Sequence, residues 1–297
     1  MSYKSLPFTG SCVALVTPFY SDGSLDLPSL GRLIDFQVSS DTDAILVLGT
    51  TGESSTMTDK ERRECISYAA EKVGGRVPLI VGTGTNRTAY SVELSKFARE
   101  CGCDGILVVS PYYNKASDEG LVRHFSAIAD AADCPTILYN IPSRTGVNIP
   151  LSVYERIADH PNIVGIKEAS GNISYAADIA SRVGDKLALY SGNDDQTVPI
   201  ISLGGCGVIS VAANIIPREM HDMAVSAVSG NIVAAASAQK KYHELFKALF
   251  CEVNPIPIKA ACEITGLCSG TLRLPLCEIG NDNLARLTDV LKKYRLI

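Results

Sequence analysis

The sequence predicts an α/β fold: a (β/α)8 TIM barrel followed by a small C-terminal helical domain. Eight short apolar, β-branched runs recur at intervals, stretches with helical periodicity lie between them, and the strand signal stops after Pro217. Strands alternating with helices indicate βαβ units and a parallel sheet. Eight such units in about 225 residues fit a closed barrel better than an open doubly wound sheet.

The first run, Cys12 to Thr17, breaks at Pro18, and the second, Ala44 to Gly49, breaks at Thr50-Thr51-Gly52. Lys60 to Val73 then has helical periodicity. The third run is Pro78 to Gly82, followed by a helical stretch from Ala89 to Cys101. There Val92, Leu94 and Phe97 alternate with Glu93, Lys96 and Arg99. Gly105 to Ser110, Pro135 to Asn140, Ile163 to Lys167, Leu187 to Ser191 and Gly207 to Val211 complete the set. Near-continuous hydrophobicity of this kind suits strands buried on both faces. From about residue 231 the chain reads as helix, loop and helix, with Ile232 to Phe250, Ile258 to Thr265 and Asn283 to Tyr294. The expected division is therefore a barrel over 1–230 and a helical domain over 231–297.

Composition narrows the function. Of 297 residues, 46% are hydrophobic and 20% charged, an ordinary globular balance. A net charge of -5 without a basic cluster argues against nucleic acid as partner. No apolar stretch approaches the roughly 20 residues of a membrane helix, and Met1 to Pro7 carries no secretory pattern. The expectation is a soluble, cytoplasmic protein. Ten scattered cysteines, among them Cys12, Cys65 and Cys206 in apolar surroundings, read as reduced thiols. Cys101 and Cys103 form a C-x-C without a second pair, and the four histidines are far apart. Metal chemistry is disfavoured, and no cofactor is expected.

Barrel enzymes keep their chemistry at the C-terminal ends of the strands. The most informative end is Lys167, which closes Ile163-Val164-Gly165-Ile166. Desolvation disfavours an ammonium, and an uncharged amine in an apolar pocket is the nucleophile that forms a Schiff base. The plainer reading is a lysine that ends a strand and reaches solvent. Alternation puts Ile163, Gly165 and Lys167 on one face and Val164 and Ile166 on the other. With the aliphatic pair against the helices, Lys167 points inward and Gly165 leaves room for a ligand. Tyr139 shares a face with Ile137 in the preceding strand, and an amine beside a phenol suits imine chemistry. Alone, Tyr139 would read as a core tyrosine. Arg144, on a glycine-containing loop, suits bidentate capture of a carboxylate. Thr50 and Thr51 between Gly49 and Gly52 offer hydroxyls and closely spaced amides, although alone the run is only a turn. Gly82-Thr83-Gly84-Thr85-Asn86-Arg87 lacks the last glycine of a dinucleotide loop.

Together GTTGES, SPYYN, YNIPSRTG, GIKEAS and GVISV resemble the pyruvate-dependent class I lyase family that includes dihydrodipicolinate synthase and N-acetylneuraminate lyase. The resemblance spans nearly the whole chain, from Gly10 to Pro275. It implies condensation of pyruvate with aspartate semialdehyde in lysine biosynthesis. Lys167 would form the imine, with Tyr139 as general acid/base in a proton relay through Thr50 and Tyr113. Thr51 and the Ile209 backbone would hold the pyruvate carboxylate, Arg144 the semialdehyde carboxylate, and Gly192 would line the pocket. The resemblance also implies a homo-oligomer, a dimer of dimers, because Tyr113 would act in the neighbouring subunit's site. The alternative is an aldolase of a larger sugar acid, such as N-acetylneuraminate lyase. Those relatives usually lack the Ser143-Arg144-Thr145-Gly146 continuation. Many members are inhibited by lysine, at positions that here would include Ser55, Asp59, Arg62, Asn86, Tyr90 and Tyr112. Asn86 and Tyr112 keep the lysine-sensitive pattern, whereas Asp59 and Arg62 replace histidines and Tyr90 a glutamate. Weak or absent inhibition is expected.

Overall fold

In the computed structural model, which describes residues 6–297, eight parallel strands close into one barrel in sequence order, β1 to β8. The expectation that no leader begins at Met1 concerns residues 1–5, outside those described. The strands are β1 (Gly10–Ala14), β2 (Ala44–Val47), β3 (Leu79–Gly82), β4 (Gly105–Val109), β5 (Thr136–Asn140), β6 (Ile163–Glu168), β7 (Ala188–Ser191) and β8 (Gly207–Ser210). Pairing of β1 with β8 closes the ring. Every strand is buried almost throughout, which is why each reads as an apolar run and not as an alternating one. Among the described residues, no helix is long and apolar enough to cross a membrane.

The surrounding helices are α1 (Leu27–Ser39), α2 (Asp59–Val73), α3 (Thr88–Glu100), α4 (Asp118–Ala132), α5 (Pro142–Thr145), α6 (Leu151–Ile157), α7 (Ile173–Val183), α8 (Thr197–Ser202) and α9 (Pro217–Val228). Then come α10 (Ile232–Ala248), α11 (Ile256–Ile264) and α12 (Asn281–Lys293). Capping explains several of the starts. Thr58 and Glu61 form a reciprocal capping box on α2, and Ser117 caps α4. One apolar cluster fills the space between strands and helices, and a second, containing Cys12, Leu46, Ile137, Tyr139 and Ile209, fills the barrel.

Strand β6 departs from simple alternation. Thr136 of β5 pairs with Ile163, but the next residue, Ile137, pairs with Gly165, so Val164 is an extra residue in a bulge. Ile163 and Ile166 therefore pack outward, while Val164 joins the interior cluster. This corrects the expected grouping of Ile163 with Lys167 and of Val164 with Ile166. The room expected beside Gly165 is also absent. A Cβ there would lie 2.9 Å from the Ala188 carbonyl oxygen and 3.0 Å from the Tyr190 ring, so Gly165 admits a neighbouring strand and not a ligand.

Candidate active site

The C-terminal ends of β5 and β6 put a phenol and an amine side by side. Tyr139 and Lys167 are register partners, each 5% exposed, and the Lys167 Nζ lies 4.2 Å from the Tyr139 ring centroid. Lys167 makes no ion pair among the described residues. The strand ends that aim these two side chains are tied together behind them. Asn140 donates to the Glu168 Oε2 (2.8 Å), and the Ser170 amide donates to Oε1 (2.6 Å). Burial pushes the Glu168 carboxyl up, and the hydrogen bonds from Ser170 and Asn140 oppose it. Gly192 sits against the Lys167 stem: a Cβ there would meet the Ala169 Cβ at 2.5 Å and the Lys167 Cε at 3.1 Å. Only glycine leaves that stem its position.

The chain leaves β2 through a strained turn. Leu48 (φ 57°) and Glu53 (φ 52°) are both left-handed without being glycine, and such strain persists only where the surroundings enforce it. They do so from far along the chain. A Cβ on Gly82 would fall 2.3 Å from the Leu48 carbonyl oxygen, so only glycine lets β3 pass. The buried Lys259 of α11 donates to the Glu53 Oε1 (2.9 Å), to the Thr17 carbonyl (2.9 Å) and to the Thr271 carbonyl. Burial pulls the Lys259 ammonium down, and the Glu53 carboxylate pushes it back up. The Asn254 amide donates to the Thr51 Oγ1 (3.0 Å), while its backbone carbonyl accepts from the Arg144 guanidinium (2.8 Å).

A cavity of about 380 Å³ opens at this end of the barrel. Of the residues singled out from sequence, it brings together Thr50, Tyr139, Arg144, Ser55, Arg62 and Tyr112. Lys167, Thr51, Gly192 and Ile209 do not line its wall. Arg144 is exposed on the short α5, at the mouth. Tyr113 stands apart: it has φ 68°, is 93% exposed and does not line the cavity of its own chain. A relay from Thr50 through Tyr113 is therefore not assembled within one chain.

The remaining sequence candidates form a polar group beside α2 and α3. Asp59 accepts from the Tyr90 hydroxyl (2.8 Å) and from the Arg63 Nε (2.8 Å), which together hold its carboxyl below the usual range. Arg62 stacks on the Tyr90 ring and donates to the Ser54 carbonyl (2.9 Å). Asn86 accepts on its carbonyl from Asn114 (3.0 Å). Sequence reading missed Asn254 and Lys259 as parts of the site. One signal was available: Lys259 interrupts the apolar stretch Ile256 to Cys262 just as Lys167 ends another.

Comparison with known proteins identifies the family and agrees with the fold. The profile of the dihydrodipicolinate synthetase family matches residues 7–294. The chain is 51% identical, over 98% of its own length and 99% of the relative's, to a 4-hydroxy-tetrahydrodipicolinate synthase of Clostridium perfringens strain 13. It superposes on the crystal structure of dihydrodipicolinate synthase from Aquifex aeolicus with a TM-score of 0.95 at 46% identity, covering 97% of this chain and 99% of that one. A lysine-bound structure of the enzyme from Cyanidioschyzon merolae is similar too, with a TM-score of 0.94 at 41% identity, covering 99% and 100%.

Proposed function

The chain belongs to the dihydrodipicolinate synthetase family and is a lyase with 4-hydroxy-tetrahydrodipicolinate synthase activity, and we propose that it works through an imine on Lys167. The observation that carries this reading is the buried Lys167–Tyr139 pair at adjacent strand ends, with the amine free of any carboxylate among the described residues. The Lys167 nitrogen adds to the ketone carbon of pyruvate, and loss of water gives the imine. The Tyr139 phenol passes the protons of that step and of the methyl deprotonation that makes the enamine. The enamine carbon then attacks the aldehyde carbon of L-aspartate 4-semialdehyde. Thr51 and the Ile209 backbone hold the pyruvate carboxylate, Gly192 leaves room beside the imine, and Thr50 relays protons. Arg144 takes the acceptor carboxylate as a charge-assisted pair at the mouth.

The exposure of Tyr113 supports a homo-oligomer in which that tyrosine completes the relay of a second copy, with a dimer of dimers as the assembly. The activity belongs in the cytoplasm. Residues 231–297 form a helical domain that contributes Asn254 to the cavity wall and Lys259 to the buried support of the Glu53 turn. The substitutions at Asp59, Arg62 and Tyr90 weaken any lysine site.

Borohydride reduction in the presence of pyruvate tests the core of the proposal. One pyruvate-derived mass should appear, mapped to Lys167, and labelling elsewhere would overturn the mechanism. A reductase-coupled assay should show consumption of aspartate semialdehyde and not of a sugar-acid aldehyde.

A further inference from the structure

Asn254 lies 203 residues from Thr51 in sequence, yet its side-chain nitrogen donates to the Thr51 Oγ1 at 3.0 Å. Both residues are buried, at 7% and 2% exposure, and Asn254 also lines the cavity. A hydroxyl has one proton and two lone pairs. Once Oγ1 accepts from Asn254, the Thr51 proton is directed elsewhere, and it makes no other hydrogen bond among the described residues. The other half of the same amide, Oδ1, is buried with no partner. An orphaned buried acceptor is costly, so the amide is not held there by a saturated network of its own. What it secures is one donation to Thr51, while its backbone carbonyl fixes Arg144.

We propose that Asn254 is a positioning residue that commits the Thr51 hydroxyl to donate to the carboxylate of the bound α-keto acid. This rests on the reading of Thr51 given above. Because Asn254 acts on the hydroxyl of one residue and the guanidinium of another, it links the two carboxylate-holding positions through a single backbone unit.

Asn254→Asp keeps the shape but replaces the donor with an acceptor, which captures the Thr51 proton and sets a negative charge beside the substrate's own. The KM for pyruvate should rise at least about tenfold, with a smaller change in kcat. As the pH falls from about 8 to about 5 the KM should recover in part, because burial at this position raises the introduced carboxyl and the protonated acid can donate again. Asn254→Ala, with neither donor nor charge, should raise KM by several-fold without acid recovery, and it keeps the test open if the aspartate variant folds poorly. A merely structural asparagine would lower thermal stability and active fraction but leave KM and its pH profile unchanged, and that result overturns the proposal. Thr51→Val separates the two levels. If it raises the pyruvate KM while both Asn254 variants do not, the positioning role alone fails. If Thr51→Val leaves that KM unchanged, the reading of Thr51 falls, and the role of Asn254 falls with it.

Discussion

Two lysines are buried near the same end of the barrel, in opposite company. The Lys259 ammonium on α11 is saturated by the Glu53 carboxylate and the carbonyls of Thr17 and Thr271, and it stacks on Phe19. Lys167 on β6 faces the ring of Tyr139 and makes no ion pair among the described residues. Burial is thus common to both, and the difference lies in how the charge is met. A saturated lysine holds backbone in place: here it pins the left-handed turn at Glu53 beside Thr50 and Thr51. An unsaturated one keeps its nitrogen available for substrate. The lysine that would do chemistry is underpaired, and the lysine that supports its surroundings is fully paired.

Substitution of the two lysines should separate these roles. Lys167→Ala should lower turnover by at least about a thousandfold, since it removes the nucleophile outright. Its melting temperature should hold or rise, because an unpaired buried amine adds little to stability. A coupled assay and a thermal melt on the same preparation check both halves, and residual turnover within tenfold of the parent would break the comparison. Lys259→Met should do the reverse in kind. It leaves Glu53 buried without its partner, at a cost of about 3–5 kcal/mol in stability. Lys259→Met with Glu53→Gln should recover most of that loss in denaturant titration. Failure to recover would mean that Lys259 is not acting as the counter-charge.

Arg144 stands between these extremes, exposed and tied to the fold by its bond to the Asn254 carbonyl. Arg144→Ala should cost about 2–4 kcal/mol of transition-state binding for aspartate semialdehyde. Borohydride trapping with pyruvate alone should persist. A variant that traps normally and also condenses normally would remove Arg144 from the acceptor site.

A third buried charge, Asp194 just beyond β7, extends the contrast to a carboxylate. Burial raises its pKa to about 6, against the hydrogen bonds from Ser210 and from the Ala212 and Val211 amides. A carboxyl raised in the folded state binds its proton more tightly there than in the unfolded chain. Stability therefore increases as pH falls from above 6 towards the unfolded value near 4, and the ionised form is the costly one. Asp194→Asn should add about 1–3 kcal/mol at neutral pH and flatten the profile between those limits. An unchanged urea midpoint across that window would show that Asp194 is solvated.

The comparison also explains what the sequence made legible. All eight strands were, because both faces of each are buried and composition alone marks them. Lys167 was, because a cation closes such a run, whereas Tyr139 alone reads as a core tyrosine and Thr50 and Thr51 as a turn, and these three stand out only through the family resemblance. The bulge at Val164 was not: an extra residue in a strand of apolar side chains changes facing without changing composition. Asn254 and Lys259 were not, because their partners lie 203 and 206 residues away and no local period encodes such contacts. For Lys259 the clue was the one that revealed Lys167, a cation inside an apolar run, applied to a helix and not to a strand.

The smallest expected effect concerns lysine itself, and it turns on the same question of pairing. A bound amino acid needs a carboxylate for its α-ammonium and an acceptor for its ε-ammonium. Asp59 is the only acidic side chain among the sequence-derived regulatory positions, and its oxygens already accept from Tyr90 and Arg63. Arg62 stacks on the Tyr90 ring and adds a cation beside any arriving ammonium. A missing charge-assisted hydrogen bond of about 1.5–3 kcal/mol weakens binding roughly ten- to a hundredfold. Lysine at millimolar concentration should therefore reduce the rate by less than about twofold. Tyr90→Glu should restore some sensitivity by supplying the absent carboxylate. Half-inhibition of the parent at submillimolar lysine, lost on mutation of Asn86 or Tyr112, would show that this polar group opens to its ligand despite the bonds that now close it.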